Sequence, residues 1–381
     1  MGEGTRGRGR GSSSVSGPLA GIRVVELVGQ GPGPYGAMIL ADLGADVVAV
    51  DRPEVAARVN HSRVPTNPMM RGKRGVALDL KNPEHVDELM RLTDRADVVI
   101  DPFRPGVCER LGLGPDVLCE RNPRLIFARM TGWGQSGPWA HRAGHDINYI
   151  SLSGALHTIG YEGQPPTIPV NMLGDFAGGG LLLAMGVSAA LVERNTSGRG
   201  QTIDVAMVDG AAMILGPFFV AATNGFWGER GTNHLDGGAH FYNVYATSDG
   251  GWVSVGAIEP QFYAELVERL GVSDDEVLSP ARQNDRSVWA EAKKKMAAVF
   301  ATRTRAEWEA IFESSDACFS PVLSPSEVTT HPHTVARGVT VDVNGVTQAQ
   351  SAPRFSRTAA GAGLPEHPGQ HSVDEVLAGW V

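Results

Sequence analysis

Residues 21–53 read GIRVVELVGQGPGPYGAMILADLGADVVAVDRP, and this stretch decides the fold. A short apolar run rich in valine is followed by a loop of glycine and proline, then by a second apolar run, and then by another short apolar run rich in valine. Short apolar runs bounded by turn residues are typical of buried strands. We therefore predict a strand over 22–27, a loop over 29–34, a helix over 37–43 and a second strand over 47–50 that ends at Asp51. Strand, helix and strand in this order form one unit of a parallel α/β sheet.

The glycine loop matches a dinucleotide-binding fingerprint only in part. Gly29 and Gly31 occupy the first two glycine positions, and Asp51 supplies the acid at the end of the second strand. The third glycine position holds Pro34, whose ring opposes close packing of the helix on the strand. We therefore interpret this unit as a Rossmann-like scaffold rather than as an NAD site.

Apolar runs alternate with amphipathic segments as far as residue 222. The residues Asn82-Pro83-Glu84 open one helix as its cap, first-turn proline and first-turn acid. Strands that alternate with helices predict an α/β fold with a doubly wound parallel sheet. The further apolar runs lie at 76–80, 98–101, 125–130 and 201–205.

The composition changes after residue 222, where a stretch rich in Gly and Asn precedes a hairpin signal at Asp249-Gly250-Gly251. Helical patterns follow at 261–270 and 289–303, which indicates a smaller α+β domain. We predict a disordered tail over 1–17, a large domain over 18–222, a small domain over 223–328 and a C-terminal segment over 329–381 that returns to the large domain.

Composition and charge exclude several classes of protein. The chain has 381 residues and a formal net charge of −9, which argues against general nucleic-acid binding. Three cysteines without metal spacing favour a reducing compartment, and we expect a cytoplasmic protein. The uncharged segment 176–192 falls slightly short of the roughly 20 residues that span a bilayer, so we predict a core helix and no membrane span. Neither an HExxH motif nor a CxxC pair occurs, and no metal site is predicted.

Two candidate acid–base residues stand near the ends of the stretch 143–175. His145 precedes a predicted helix, and Asp175 lies in the predicted turn Leu173-Gly174-Asp175 before the long apolar run. The helix dipole favours a carboxylate at a helix N-terminus, and neighbouring glycines allow another backbone or a ligand to come close. Taken alone, His145 could equally be a loop histidine satisfied by Asp146, and Asp175 a simple helix cap.

A basic cluster forms a third candidate site. Arg71, Lys73 and Arg74, together with Arg52, are expected where strands end, which is the edge at which open α/β sheets bind ligands. Arginine forks match the geometry of phosphate groups. A solvated surface face is the alternative interpretation of the same cluster.

Five motifs follow one another along the chain: GHDINY at 144–149, DFAGGG at 175–180, LDGGA at 235–239, GAIEPQFY at 256–263 and DAC at 316–318. They resemble those of the family III CoA-transferases, and of their racemase branch in particular. The resemblance runs from about residue 19 to about residue 328. It departs from the family pattern at His240, where proline is usual, and in the loop 161–169, and both differences are expected to reshape the acyl pocket.

The resemblance implies a Rossmann-like large domain and a small domain in an interlocked homodimer, with the active site between the large domain of one subunit and the small domain of the other. His145 and Asp175 would be the two acid–base residues, and Glu259 would support His145 across the subunit interface. The thioester would be held by Gly144, Asp146, Ile147, Asn148 and Tyr149. The CoA moiety would be held by Arg52, Arg71, Lys73, Arg74, Leu78, Asp79, Leu80, Lys81 and Arg104.

The expected reaction interconverts the R and S forms of 2-methyl-branched acyl-CoA thioesters without an added cofactor. The α-proton of a thioester is acidic because the carbanion delocalises as an enolate, so the site needs oxyanion stabilisation and a base on each face. The backbone N–H groups near Asp146 are candidates for that stabilisation. A CoA-transferase that uses Asp175 as an acyl-anhydride nucleophile is the alternative. A non-enzymatic acyl-CoA carrier is the third hypothesis, and it leaves the two bases without a purpose.

Overall fold

The computed structural model describes residues 17–55, 67–343, 345–359, 361 and 371–380. The described residues group into two compact units. The first holds those up to His141, Gly179–Ala206 and those from Val341 onward, and the second holds Arg142–Gly178 and Met207–Thr340. The tail expected over 1–17 lies outside the described residues except for Gly17, which is buried.

The first unit is built on a six-stranded parallel sheet, as the alternating pattern predicts. The strand order is β3-β2-β1-β4-β5-β6. Val25 pairs with Val48 on one side and with Val99 on the other, and all three side chains are buried, because helices cover both faces of such a sheet. The strands are β1 Arg23–Leu27, β2 Asp46–Asp51, β3 Lys73–Ala77, β4 Val98–Asp101, β5 Ile126–Thr131 and β6 Thr202–Ala206.

The α-helices of the described residues are numbered in chain order. They are α1 Pro32–Asp42, α2 Pro83–Thr93, α3 Val107–Arg110, α4 Pro115–Arg121, α5 Asp146–Leu152, α6 Leu182–Ser197, α7 Met207–Thr223, α8 Pro260–Arg269, α9 Trp289–Phe300, α10 Arg305–Phe312, α11 Pro325–Val328, α12 Pro332–Arg337 and α13 Val373–Ala378. Short 3₁₀ turns lie at Pro68–Met70, Leu156–Thr158, Pro280–Arg282 and Arg286–Val288, and a π-helix spans Met172–Leu181.

The first helix begins earlier than the sequence suggested. It starts at Pro32 rather than at residue 37, because the first N–H groups of a helix need no intrahelical partner and tolerate both Pro32 and Pro34. Gly31, with φ of 64°, provides the turn that leads into it. Gly36 packs against Gly180, since a Cβ on Gly36 would lie 2.8 Å from the Gly180 carbonyl oxygen. Half of the predicted glycine loop, from Pro32 to Pro34, is therefore helix.

The long apolar segment forms one continuous helical stretch, Met172–Ser197. Its length and mean hydropathy of 1.6 would allow it to cross a membrane, although the core helix of a soluble protein meets the same two criteria. Leu183 and Val187 are fully buried, and Arg194 forms an ion pair with Asp97 at 2.9 Å. From Gly179 onward the stretch belongs to the first unit, and these contacts there are those of a core helix.

The second unit contains a three-stranded antiparallel sheet of order β7-β8-β9. Its strands are β7 Tyr242–Ala246, β8 Trp252–Gly256 and β9 Phe319–Pro321, so the predicted hairpin is confirmed. Helices α8, α9 and α10 pack on this sheet around an aromatic core that includes Phe241, Tyr263 and Trp308. Apart from these two sheets, β10 Thr340–Val343 and β11 Val346–Ala349 pair as a two-stranded ribbon.

The compact units have different bounds from the domains expected from composition. Residues 142–178 and 207–222, expected in the large domain, group with the second unit. These two segments pack on each other very closely, because a Cβ on Gly210 would lie 2.0 Å from the Gly178 carbonyl oxygen. The end of the chain belongs to the first unit, where the Trp380 indole N–H donates to Asp46 at 2.8 Å.

Candidate active site

His145 is the N-cap residue of α5. Its backbone is extended, its N–H donates to Asn148 Oδ1 at 3.0 Å, and its carbonyl accepts the Asn148 N–H at 2.8 Å. These reciprocal bonds fix the start of the helix. The imidazole itself is exposed. The backbone of His145 is therefore held in place while its side chain stays accessible.

Asp146, the first residue of α5, is only 5% exposed. Its Oδ2 accepts the backbone N–H of Gly174 at 2.6 Å and that of Asp175 at 2.7 Å. A Cβ on Gly174 would lie 2.6 Å from the same oxygen, so only glycine permits this approach. The carboxylate thus joins the start of α5 to the start of the π-helix.

Asp175 is half-buried in the first turn of the π-helix Met172–Leu181. The sequence predicted a turn at Leu173-Gly174-Asp175, and this was wrong, because Asp146 accepts two first-turn N–H groups and the helix can begin before Asp175. Single π-helical turns are frequent at functional sites. Asn171 donates its side-chain amide to Asp175 Oδ2 at 3.0 Å.

The surroundings of Asp175 raise the pKa of its carboxyl group. Burial is the largest cause, and the negative charge of Asp146 acts in the same direction. The hydrogen bond from Asn171 and the charge of a protonated His145 lower the pKa and offset part of the effect. Asp146 directly follows His145 and accepts the Asp175 N–H, so the two candidate bases lie in one region of the second unit.

The start of α5 is where the sequence predicted stabilisation of an oxyanion. The first N–H groups of a helix have no intrahelical partner and carry the positive end of the helix dipole. Of the residues expected to hold the thioester, Ile147 and Asn148 are exposed here, and Tyr149 is buried with its hydroxyl donating to the Gly144 carbonyl.

Arg71, Lys73 and Arg74 of the basic cluster do not lie at the ligand edge of the sheet, and for these three residues that prediction was wrong. Lys73 and Arg74 begin β3, which places them at the amino end of the parallel strands. Lys73 is fully buried, with its Nζ 2.7 Å from Glu26 Oε2 and 2.9 Å from the Pro34 carbonyl oxygen. A lysine buried to this extent requires such a partner.

Arg71 and Arg74 also have internal partners. Arg71 is buried and forms an ion pair with Asp42 at 2.5 Å, and it donates to the Ala349 carbonyl at 2.8 Å. Arg74 forms an ion pair with Asp46 at 2.6 Å. These contacts bind β3 to its neighbours instead of presenting cations to a ligand.

Three other expected CoA-binding cations do follow the carboxyl ends of strands. Arg52 follows β2, Lys81 lies in the loop after β3, and Arg104 lies in the loop after β4, and all three are exposed. Before Lys81, Leu78 is buried, Leu80 is partly buried, and Asp79 accepts the Lys81 N–H at 3.0 Å. This is the edge at which open parallel sheets bind ligands.

Comparison with known proteins identifies the family. Residues 19–372 match the model of CoA-transferase family III. The chain belongs to this family. It is 47% identical over 364 residues to the alpha-methylacyl-CoA racemase of Homo sapiens, covering 94% of this chain and 92% of the relative, and the Mus musculus racemase is equally similar over 93% and 92%.

Solved structures of the family share the fold. A CAIB/BAIF family protein from Brucella suis superposes with a TM-score of 0.81 at 26% identity, covering 96% of this chain and all of that one. The family also includes transferases, and the chain is 31% identical to a probable fatty acyl-CoA transferase of Mycobacterium tuberculosis over 80% of this chain and 82% of that protein.

In this family III chain, Glu259 caps α8 at its N-terminus and is exposed. Its negative charge raises the pKa of the Cys318 thiol, after the larger effect of burial, so the two side chains are near each other. Among the described residues, no hydrogen bond joins Glu259 to His145 within one chain.

An apolar cavity of about 760 Å³ lies within the second unit. Leu173, which directly precedes Gly174 and Asp175, forms part of its wall. The loop expected to shape the acyl pocket contributes Tyr161 and Thr167, whereas His240 is buried elsewhere and bonds to the Tyr263 hydroxyl. Most of the remaining wall is apolar or aromatic, and it includes Ala155, Ile159, Ile214, Leu215, Phe218, Trp227, Leu235, Val244 and Val255.

Asn171 is a site residue that the sequence reasoning missed. Asn171 directly precedes the π-helix, and its side-chain amide reaches the Asp175 carboxyl group in the first turn, so a correct prediction of the helix start would have revealed the pair. Among the described residues, no group of His, Cys, Asp and Glu is arranged to hold a metal ion.

Proposed function

We propose that the chain is an α-methylacyl-CoA racemase that interconverts the R and S forms of 2-methyl-branched acyl-CoA thioesters. The observation that carries the proposal is the pairing of His145 with Asp175 through the Asp146 carboxylate. Sequence identity of 47% with the human and mouse racemases supports it.

The reaction is one proton removal followed by one proton return. One base takes the α-proton, the electrons of the C–H bond pass to the thioester oxygen as an enolate, and the protonated residue on the opposite face returns a proton to the carbon. His145 serves one face and Asp175 the other. The raised pKa of Asp175 makes its carboxylate a stronger base for proton removal, and it keeps more of the carboxyl group protonated for the return step. The N-terminal N–H groups of α5 stabilise the enolate oxygen.

The proposed CoA-binding residues are the exposed cations Arg52, Lys81 and Arg104. Guanidinium groups bind phosphates in a bidentate manner, whereas an ammonium group acts as a point charge. Proton transfer alone consumes no cofactor, so we propose that none is added. We also propose a cytoplasmic location, because three cysteines without metal spacing favour a reducing compartment.

The proposed assembly is an interlocked homodimer in which the partner subunit's Glu259 supports His145. Two observations in this chain support the homodimer. Glu259 is exposed, and α7 and the residues after it expose large apolar side chains. Val220 is 63% exposed and Phe226 is 76% exposed, and contiguous apolar exposure of this kind marks protein interaction sites.

The proposed acyl site is the cavity of the second unit. Its wall is largely apolar, and Leu173 connects it directly to the segment that carries Asp175. A volume of about 760 Å³ falls within the range of small-molecule sites. An extended branched acyl chain is therefore the expected occupant.

The test of the proposed function is proton NMR of a single-enantiomer 2-methylacyl-CoA incubated with the protein in D₂O. The α-proton signal should disappear while optical purity is lost in parallel. Racemisation would be refuted if the α-proton signal and the optical purity both stayed unchanged over many hours, at protein concentrations comparable to the substrate.

A CoA-transferase is the second candidate, and the Mycobacterium tuberculosis relative named as a transferase favours it. In that reaction the Asp175 carboxylate attacks the thioester carbonyl, forms an acyl anhydride and releases CoA as the thiolate. His145→Ala separates the two candidates, because it should abolish racemisation but leave transfer intact. Exchange of an added carboxylic acid onto CoA, without α-proton exchange, would establish the transferase.

A further inference from the structure

The Asp146 carboxylate contacts the segment that carries Asp175, and a role in thioester binding alone does not require these contacts. Its Oδ2 accepts two backbone N–H groups, from Gly174 and Asp175, and both bonds are short. Its Oδ1 is buried and has no hydrogen-bond partner among the described residues. A buried carboxylate that is only half satisfied costs free energy, so its retention calls for a function.

The position of Asp146 relates the two bases directly. It follows His145 in the chain, and it bonds the N–H of Asp175 itself. The intervening chain, by contrast, contains a long exposed stretch, 161–168. One side chain, rather than that loop, therefore sets the spacing between the two bases.

We propose that Asp146 is a positioning residue, which fixes His145 and Asp175 on opposite faces of the substrate α-carbon. Its negative charge also lies beside the Asp175 carboxyl group and favours the protonated form of that group. This inference rests on the proposed racemase function. Charge-assisted hydrogen bonds to backbone N–H groups are well suited to hold such a geometry.

A purely structural carboxylate would behave differently. Many acids in the first turn of a helix stabilise it through the dipole and do nothing else. Replacing such a residue lowers the free energy of unfolding but leaves the pH profile of the folded enzyme unchanged. The pH profile is therefore the measurement that separates the two roles.

The test compares Asp146→Asn and Asp146→Ala with wild type. Asp146→Asn keeps an acceptor for the two N–H groups but removes the charge, so the pKa of Asp175 should fall and the limb of the kcat/KM profile that reports it should move to lower pH. Asp146→Ala removes the acceptor as well, and its kcat should fall by about 100-fold, the loss expected when a catalytic group is misplaced by about 1 Å.

Asp116→Asn is the matched control, because Asp116 is an exposed first-turn acid of α4 in the other unit. It should leave the profile and kcat unchanged. An Asp146→Asn enzyme with the wild-type pH profile and wild-type kcat would overturn the proposal, and this variant decides the question even if Asp146→Ala does not fold. Absence of α-proton exchange in the wild type would be a separate result, which refutes the function itself.

Discussion

Replacing Lys73 by Met should destabilise the protein without weakening the binding of acyl-CoA. The Lys73 side chain is fully buried and forms an ion pair with Glu26, which is also fully buried. Removing one partner leaves a buried carboxylate unpaired, and Glu26 Oε1 already has no hydrogen-bond partner among the described residues. Breaking a buried pair of this kind costs about 3–5 kcal/mol. The helix α1 also loses the contact between Lys73 and the Pro34 carbonyl.

The double variant Glu26→Leu/Lys73→Met is the control for this reasoning. Replacing both members of a buried ion pair by apolar residues of similar volume is often neutral or stabilising, so the double variant should recover most of the lost free energy of unfolding. Recovery would show that the unpaired carboxylate, rather than the lost methylene packing, caused the loss.

The assay is urea denaturation of each variant followed by circular dichroism, together with KM for a 2-methylacyl-CoA measured below the unfolding transition. The free energy of unfolding should fall for Lys73→Met, while KM stays close to wild type. A Lys73→Met protein of wild-type stability with a strongly raised KM would refute the structural role and restore Lys73 as a phosphate ligand.

Three further predictions follow from the proposed sites. Arg104→Ala should raise KM for acyl-CoA by at least about tenfold with little change in kcat, because it removes a hydrogen bond to a charged group, and an unchanged KM would exclude this cation from the CoA site. Mixed dimers of His145→Ala and Glu259→Ala chains, co-expressed with two tags, should regain about half of the wild-type activity, since one of the two equivalent sites is intact. A fully inactive mixed dimer would show that the His145 and the Glu259 of each active site belong to the same chain. Ile214→Trp should narrow the cavity and slow long-chain substrates more than short ones, whereas Met213→Trp, on the same helix but outside the cavity wall, should not discriminate by chain length.

The sequence predicts the secondary structure well where a pattern of residues close together in the chain is enough to indicate it. Valine-rich runs reveal the strands of the parallel sheet because both of its faces are buried, and the turn at Asp249-Gly250-Gly251 reveals the hairpin. The start of α1 was mispredicted because prolines usually end helices, whereas Pro32 and Pro34 occupy a first turn that needs no N–H groups.

The fate of the cations could not be predicted, because it depends on partners distant in the chain. Lys73 pairs with Glu26 across 47 positions and Arg71 with Asp42 across 29. Charge clustering in the sequence carries no information about such partners, so a run of cations on a buried strand looks the same as a phosphate site. The roles of His145 and Asp175 came from the family resemblance. The hydrogen bonds that Asp146 accepts from Gly174 and Asp175 span 28 and 29 positions, so the sequence could not reveal them.

A racemase must use Asp175 as a base in one direction and as an acid in the other, so neither a very low nor a very high pKa serves it. The structure places two opposing groups beside this carboxyl: the charge of Asp146 raises its pKa, and the hydrogen bond from Asn171 lowers it. Asn171→Ala should therefore move the limb that reports Asp175 to higher pH, opposite to Asp146→Asn. If the two effects are independent, the double variant should return the limb toward its wild-type position. Shifts of the same sign in the two single variants would show that geometry, rather than charge, controls this carboxyl group.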